Sequence, residues 1–217
     1  MYVKIEVLGI KEAMDKFDHN KVKRAAHSAL NKVASQAKTQ ISQQIREEYN
    51  MPAGKLSAFL RLTSRASGNK FFATITGRGL GLALSSFGAR QVGVKAGKKS
   101  GFQYTKRAKQ AGTLWHGASG TAGGAVSVLV KRSSGRKIVS QDPRKGISEP
   151  FLVRFKSGHL AVVQRIGKGR RPLQELLGPG VAGLMGSKRI MDNTTRFVNE
   201  KFEPIFAHEL QYFLSKK

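Results

Sequence analysis

Apolar side chains recur every three or four residues along one early stretch: Val22, Ala26, Leu30, Val33, Ala37, Ile41 and Ile45. That period predicts one long helix with a single buried face. Ala25, Ala29 and Ala34 widen the stripe with small side chains that let another element approach closely. Asp18 or Asn20 stands where an N-cap belongs, and Pro52 ends the helix near Tyr49. Ahead of it, residues 2–7 alternate like a short strand, and residues 10–17 suit a first helical segment. Behind it, Leu56, Phe59, Leu60 and Leu62 predict a shorter helix over 55–62.

The period then changes. Residues 71–76 are aromatic and β-branched and predict a strand. Residues 80–87 contain glycine, alternate poorly, and fit strand, turn or interface; residues 92–94 fit a short strand. Strand-like segments over 125–131 and 136–140 flank a turn at Ser133-Ser134-Gly135. The clearest hairpin has arms at 151–155 and 160–166 around Lys156-Ser157-Gly158-His159. Proline and glycine over 171–181 predict a fixed turn. A last helix starts near Ser187, with Ile190, Thr194, Phe197, Val198, Phe202, Ile205, Phe206, Leu210 and Phe213 along one face. Pro204 should kink that helix or start a second one.

These elements predict an α+β fold in one domain over residues 1–217. It has a long N-terminal helix, a small mainly antiparallel sheet with an extended basic arm, and a C-terminal amphipathic helix. The arm is residues 95–124, where periodicity fades among seven Gly and six Lys or Arg.

Charge sharpens this picture. From Tyr49 through Gln141 there is no Asp or Glu in 93 residues, against 16 Lys or Arg. The whole chain of 217 residues carries a net charge of +26. Such a surface repels itself and attracts a polyanion or an acidic protein face. No apolar run reaches the ~20 residues of a membrane helix, so no membrane partner is expected, and assembly inside a cell is. The absence of Cys excludes a disulfide framework, a thiolate metal site and a thiol nucleophile.

Catalytic patterns are weak. His19, His27, His116, His159 and His208 make no zinc-helix spacing. The carboxylates fall in separate segments, which disfavours a two-carboxylate catalyst or a metal-dependent nuclease. Asp142 and Glu149 suit structural ion pairing. Glu47 and Glu48 sit at the unfavourable end of a helix for acids, either solvent-exposed or reaching basic groups of a neighbouring subunit. The glycines of 77–81 and 119–124 read as turns, since neither segment completes a phosphate loop or a nucleophile elbow. No enzyme activity, cofactor or metal is expected.

The basic residues carry more. Lys95, Lys98, Lys99, Lys106, Arg107 and Lys109 cluster around Phe102 and Tyr104, and Lys131, Arg132, Arg136 and Lys137 flank the turn at 133–135. Cations neutralise phosphates and rings stack on bases, but the same cluster suits acidic protein surfaces. No recognition helix accompanies it, so sequence-specific reading is not expected. Arg165, Lys168, Arg170 and Arg171 form a second basic group, equally suited to a structural role beside the Pro-Gly turn.

Several blocks resemble the minor tail protein Z family of tailed bacteriophages, also called tail completion proteins. They are the helix around Ala25–Ser35, the paired strands through Phe151–His159 and Ala161–Arg165, the Arg171-Pro172-Leu173 to Gly178-Pro179-Gly180 segment, and the terminal helix. The resemblance covers most of the chain. It implies a virion protein at the head–tail junction or upper tail, assembled in the host cytoplasm. It also implies a structural role in completing tails and placing the genome end. The implied partners are copies of itself in a ring, connector, neck, terminator or tail tube proteins, and genomic DNA. A non-sequence-specific nucleic-acid-binding protein is the alternative reading.

Overall fold

The computed structural model describes residues 1–6, 18–79, 81–91, 126–139, 150–166 and 172–215. The expected helix over 10–17, the strand at 92–94 and the arm at 95–124 lie outside these residues. The chain forms two compact units. One comprises residues 1–46, 53–80 and 180–217; the other comprises 47–52 and 81–179.

In the first unit, helix α1 (His19–Glu48) occupies the predicted stretch; its last two residues count with the second unit. Asp18 caps it: the carboxylate oxygen accepts from the backbone N–H of Asn20 and Lys21 at 2.8 and 3.1 Å. Those two amides would otherwise lack partners at the helix start. Both bonds hold the Asp18 carboxyl below its ordinary range. Every residue of the predicted stripe is fully buried, and so are Ala25, Ala29 and Ala34.

Strands β1 (Tyr2–Glu6), β2 (Leu60–Ser64) and β3 (Phe72–Gly77) form an antiparallel sheet in the order β1-β3-β2. Alternation puts Ile5, Ala73, Ile75 and Leu60 on its buried face. Helix α2 covers Ala53–Phe59 only. The expected helix over 55–62 is thus corrected: Leu60 begins β2 and pairs with Gly77. Leu56 and Leu60 are both fully buried, so their four-residue spacing looks helical although the chain changes state between them. The open edge of β3 supplies the backbone partners that a continued helix would have supplied internally.

The short helix α3 (Val181–Met185) precedes α4 (Lys188–Ser215). Pro204 lies inside α4 on its exposed side, within one continuous helix rather than at the start of a second. The apolar stripe of α4 is fully buried at Ile190 and half-buried from Phe197 to Phe213.

The second unit is a set of small antiparallel sheets. Strands β4 (Gly81–Ala83) and β11 (Leu177–Pro179) pair with each other. Strands β8 (Phe151–Arg154), β9 (Leu160–Arg165) and β10 (Leu173–Glu175) form a sheet with β9 central. The predicted hairpin is therefore present, with Gly158 at φ 82° in its turn. The expected fixed turn over 171–181 is corrected, since it contains β10 and β11. Their side chains are mostly exposed or half-buried, with no apolar alternation to mark them as strands. A 3-10 helix at Leu84–Phe87 inserts the fully buried Phe87 ring. Gly178 lies under that ring, where a Cβ would come within 2.7 Å of Phe87 Cε2.

Candidate functional site: a basic hairpin anchored to a helix end

Strands β5 (Arg90–Gln91), β6 (Val126–Val128) and β7 (Lys137–Val139) form the third sheet of the second unit. The β6–β7 connection holds a 3-10 turn at Arg132–Ser134 and Gly135 at φ 67°. A positive φ there suits glycine and reverses the chain within a few residues. This turn brings together the four described basic residues of the predicted site: Lys131, Arg132, Arg136 and Lys137. The other six, Lys95, Lys98, Lys99, Lys106, Arg107 and Lys109, lie outside the described residues.

The four cations have different surroundings. Lys131 Nζ meets the Glu48 carboxylate at 3.1 Å and stands 5.4 Å from the Tyr49 ring centroid. Backbone contacts reinforce this anchor, with a bridge between Tyr49 and Lys131 and an Asn50 N–H bond to Val130 O of 2.9 Å. The Glu48 carboxylate holds the Lys131 ammonium above its ordinary range, with Tyr49 adding to the effect. Burial raises the Tyr49 hydroxyl, and the neighbouring Glu48 charge raises it further.

Arg136 is occupied differently. Its Nη2 donates to Ser127 O at 3.1 Å and to Gly88 O, and its Nε donates to Ser127 Oγ at 3.3 Å. Ser127 Oγ in turn donates to Arg90 O at 3.4 Å. The planar guanidinium thus ties the sheet together, a task that a lysine ammonium cannot copy. Arg132 and Lys137 stand exposed on the turn and on β7.

Sheet register adds a cation that sequence inspection missed. Arg90 lies opposite Ser127, and Ser127 lies opposite Ile138. Directly paired residues share a face. Arg90 and Ile138 therefore flank Ser127 on the face to which Arg136 belongs. Arg90 is exposed and Ile138 is 61% exposed. The expectation that Glu48 is solvent-exposed or reaches a neighbouring subunit is corrected. It is half-buried and meets Lys131 of its own chain, a cation that offsets an acid opposing the helix dipole, while Glu47 is exposed.

The second basic group is barely represented. Arg165 lies 5.3 Å from the Phe151 ring centroid, while Lys168, Arg170 and Arg171 lie outside the described residues, as do Asp142 and Glu149. His159 Nε2 meets Glu175 Oε1 at 3.0 Å and its ring stacks on Phe155. The His27 ring stacks on Phe71, and burial lowers its basicity ahead of the nearby Lys23 charge. Among the described residues no three His, Asp or Glu side chains gather as a metal site. Among them, too, no helix is long and apolar enough to cross a membrane.

Among the described residues the arrangement offers positive charge on both faces of a small sheet, with Ile138 exposed on one of them. Comparison with known families gives a match to the model of prophage minor tail protein Z (GPZ) over residues 7–217. The chain belongs to the prophage minor tail protein Z family. Membership makes it a structural protein of a phage tail, with other phage structural proteins as its partners and the virion as its place. Neither a curated protein nor a solved structure matches it.

Proposed function

We propose that this chain completes the tail at the head–tail junction, where it helps join head to tail and positions the genome end. The observation that carries this reading is a basic hairpin anchored to a helix end, inside a 93-residue stretch without acid, in a chain of this family. Repeated around the tail axis by self-assembly into a ring, the basic stretch forms a positive collar. Its described part, with Arg132 and Lys137 exposed, faces connector, neck, terminator or tail tube proteins. Lys95, Lys98, Lys99, Lys106, Arg107 and Lys109 supply the charge for genomic DNA, held through phosphates without reading sequence.

Electron microscopy of particles assembled without the chain tests this. Unjoined heads and tails, or joined particles that lose their genome, are expected; normal infectious particles overturn it. Neutralising the six cations of 95–109 should reduce genome retention more than it changes the folding of the isolated chain. Unaltered particles would reject the collar.

A second reading, a freestanding nucleic-acid binder, is favoured by the acid-free stretch alone. It requires the isolated chain to bind DNA at low salt and to release it steeply as salt rises.

A further inference from the structure

Among the described residues, the β5-β6-β7 sheet ends in an edge at β7. At one end β5 lies against β8. At the other end β7 pairs with β6 and, among the described residues, with no further strand. An edge strand presents a row of backbone donors and acceptors that can template another strand. Proteins commonly blunt such edges with proline, bulges, short strands or lysine. Strand β7 has neither proline nor bulge, but it is short and carries Lys137, which deters a strand without acids and favours one with them. A large aliphatic side chain, Ile138, is instead 61% exposed there.

Charge narrows the occupant. Lys131 and Arg136 are engaged within the fold. Lys137, paired with Val128, is exposed on the face opposite Ile138; Arg132 is exposed in the turn, and Arg90 stands exposed on the Ile138 face. An edge with an aliphatic side chain on one face and a lysine on the other is poorly suited to single-stranded nucleic acid, which wants aromatic stacking surfaces. It suits a peptide strand whose acids alternate with apolar residues. We propose that β7 receives an extended, acid-bearing segment of another virion protein as a fourth strand, with Ile138 packing its apolar side chains. This rests on the tail-structural reading only for the identity of the partner as a virion protein.

The test uses the full chain and an eight-residue peptide of alternating Glu and Val with blocked ends. Fluorescence anisotropy should show salt-sensitive binding, and hydrogen exchange should show slowed amides within 137–139. Ile138→Glu should weaken binding about tenfold or more, since it loses the apolar contact and adds a like charge. Two further peptides, N-methylated on alternate amides in opposite phases, leave the protein untouched. One should lose binding and the other retain it, because only one set of amides faces β7. The proposal is overturned if both methylated peptides bind as well as the parent. It is overturned equally if Ile138→Glu binds normally, or if 137–139 are protected by a 20-base-pair DNA duplex and not by the peptide. Normal particles assembled without the chain would overturn the tail-completion reading and leave these peptide results standing, so the two failures are separable.

Discussion

Lys131 reaches back from the basic hairpin to Glu48, the last residue of α1, at 3.1 Å. One acid from just outside the acid-free stretch thereby offsets one of its cations, and the hairpin is fixed to the end of a 30-residue helix. Formal charge overstates what this surface offers to a partner. On a heparin column, Lys137→Gln should elute at clearly lower salt than the parent, and Lys131→Gln only slightly lower. Glu48→Gln should elute later than the parent, because it frees Lys131. Equal shifts for Lys131→Gln and Lys137→Gln would show that the Glu48 pair does not matter in solution.

Glu209 of α4 is buried at 4% exposure and pairs with Lys32 of α1. The Lys32 ammonium holds the carboxyl below its ordinary range, helped by Ser28 and opposed by burial. A depressed carboxyl stabilises the fold above the ordinary glutamate range, ~4.3, and loses that contribution as pH falls through its folded value. In Lys32→Met burial acts with less opposition, so acid unfolding should begin at higher pH than in the parent. The neutral-pH loss should be about 1–2 kcal/mol, discounted because Lys32 is more than half exposed. Urea titrations from pH 3 to 7 would refute this if the two proteins lost stability in parallel.

Gly178 admits no side chain. An added Cβ would lie 2.7 Å from Phe87 Cε2 and 3.1 Å from Leu84 Cδ2. Gly178→Ala should therefore destabilise by about 1–3 kcal/mol through overpacking. Phe87→Leu makes room but leaves part of a cavity. In the double variant the two losses should sum to less than their separate values. Strict additivity in chemical denaturation would mean that the ring moves aside freely.

The two long helices were legible because one physical rule governs them: the α1 stripe and the α4 stripe follow from period, and the Asp18 cap from capping, whereas the short α2 and α3 span too few turns to show a period. Hairpin β8–β9 was legible for a similar reason, with two apolar arms around a glycine turn. Leu60 was not legible, since it is buried equally well as the next helical position or as the first residue of β2. Strands β10 and β11 were hidden because their side chains are mostly exposed or half-buried, so no apolar alternation was imposed on Leu173-Gln174-Glu175 or Leu177-Gly178-Pro179. At the candidate site, composition identified Lys131 and Arg136 as cations but not their engagement by Glu48, Gly88 and Ser127. Those partners lie up to 83 residues away in sequence. Arg90 was passed over because only strand register places it on the face that carries Ile138.

Asn31 joins α1 to the segment before β3 through two reciprocal bonds. Its Nδ2 donates to Ala66 O at 3.0 Å, and its Oδ1 accepts from Ala66 N–H at 2.9 Å. The side-chain amide thus stands in for a neighbouring strand at a backbone unit that is itself buried. Asn31→Ala should leave that unit unsatisfied and cost about 1–3 kcal/mol. Asn31→Asp keeps the acceptor but turns a carboxylate oxygen toward the Ala66 carbonyl, so at neutral pH it should be no better than Ala. Below the ordinary aspartate range, ~3.9, the protonated acid regains a donor for Ala66 O. The deficit of Asn31→Asp relative to the parent should then shrink as pH falls, while that of Asn31→Ala stays constant. Thermal unfolding of the three proteins at pH 7 and pH 3.5 measures this. A constant Asp deficit would show that the Ala66 carbonyl finds another donor.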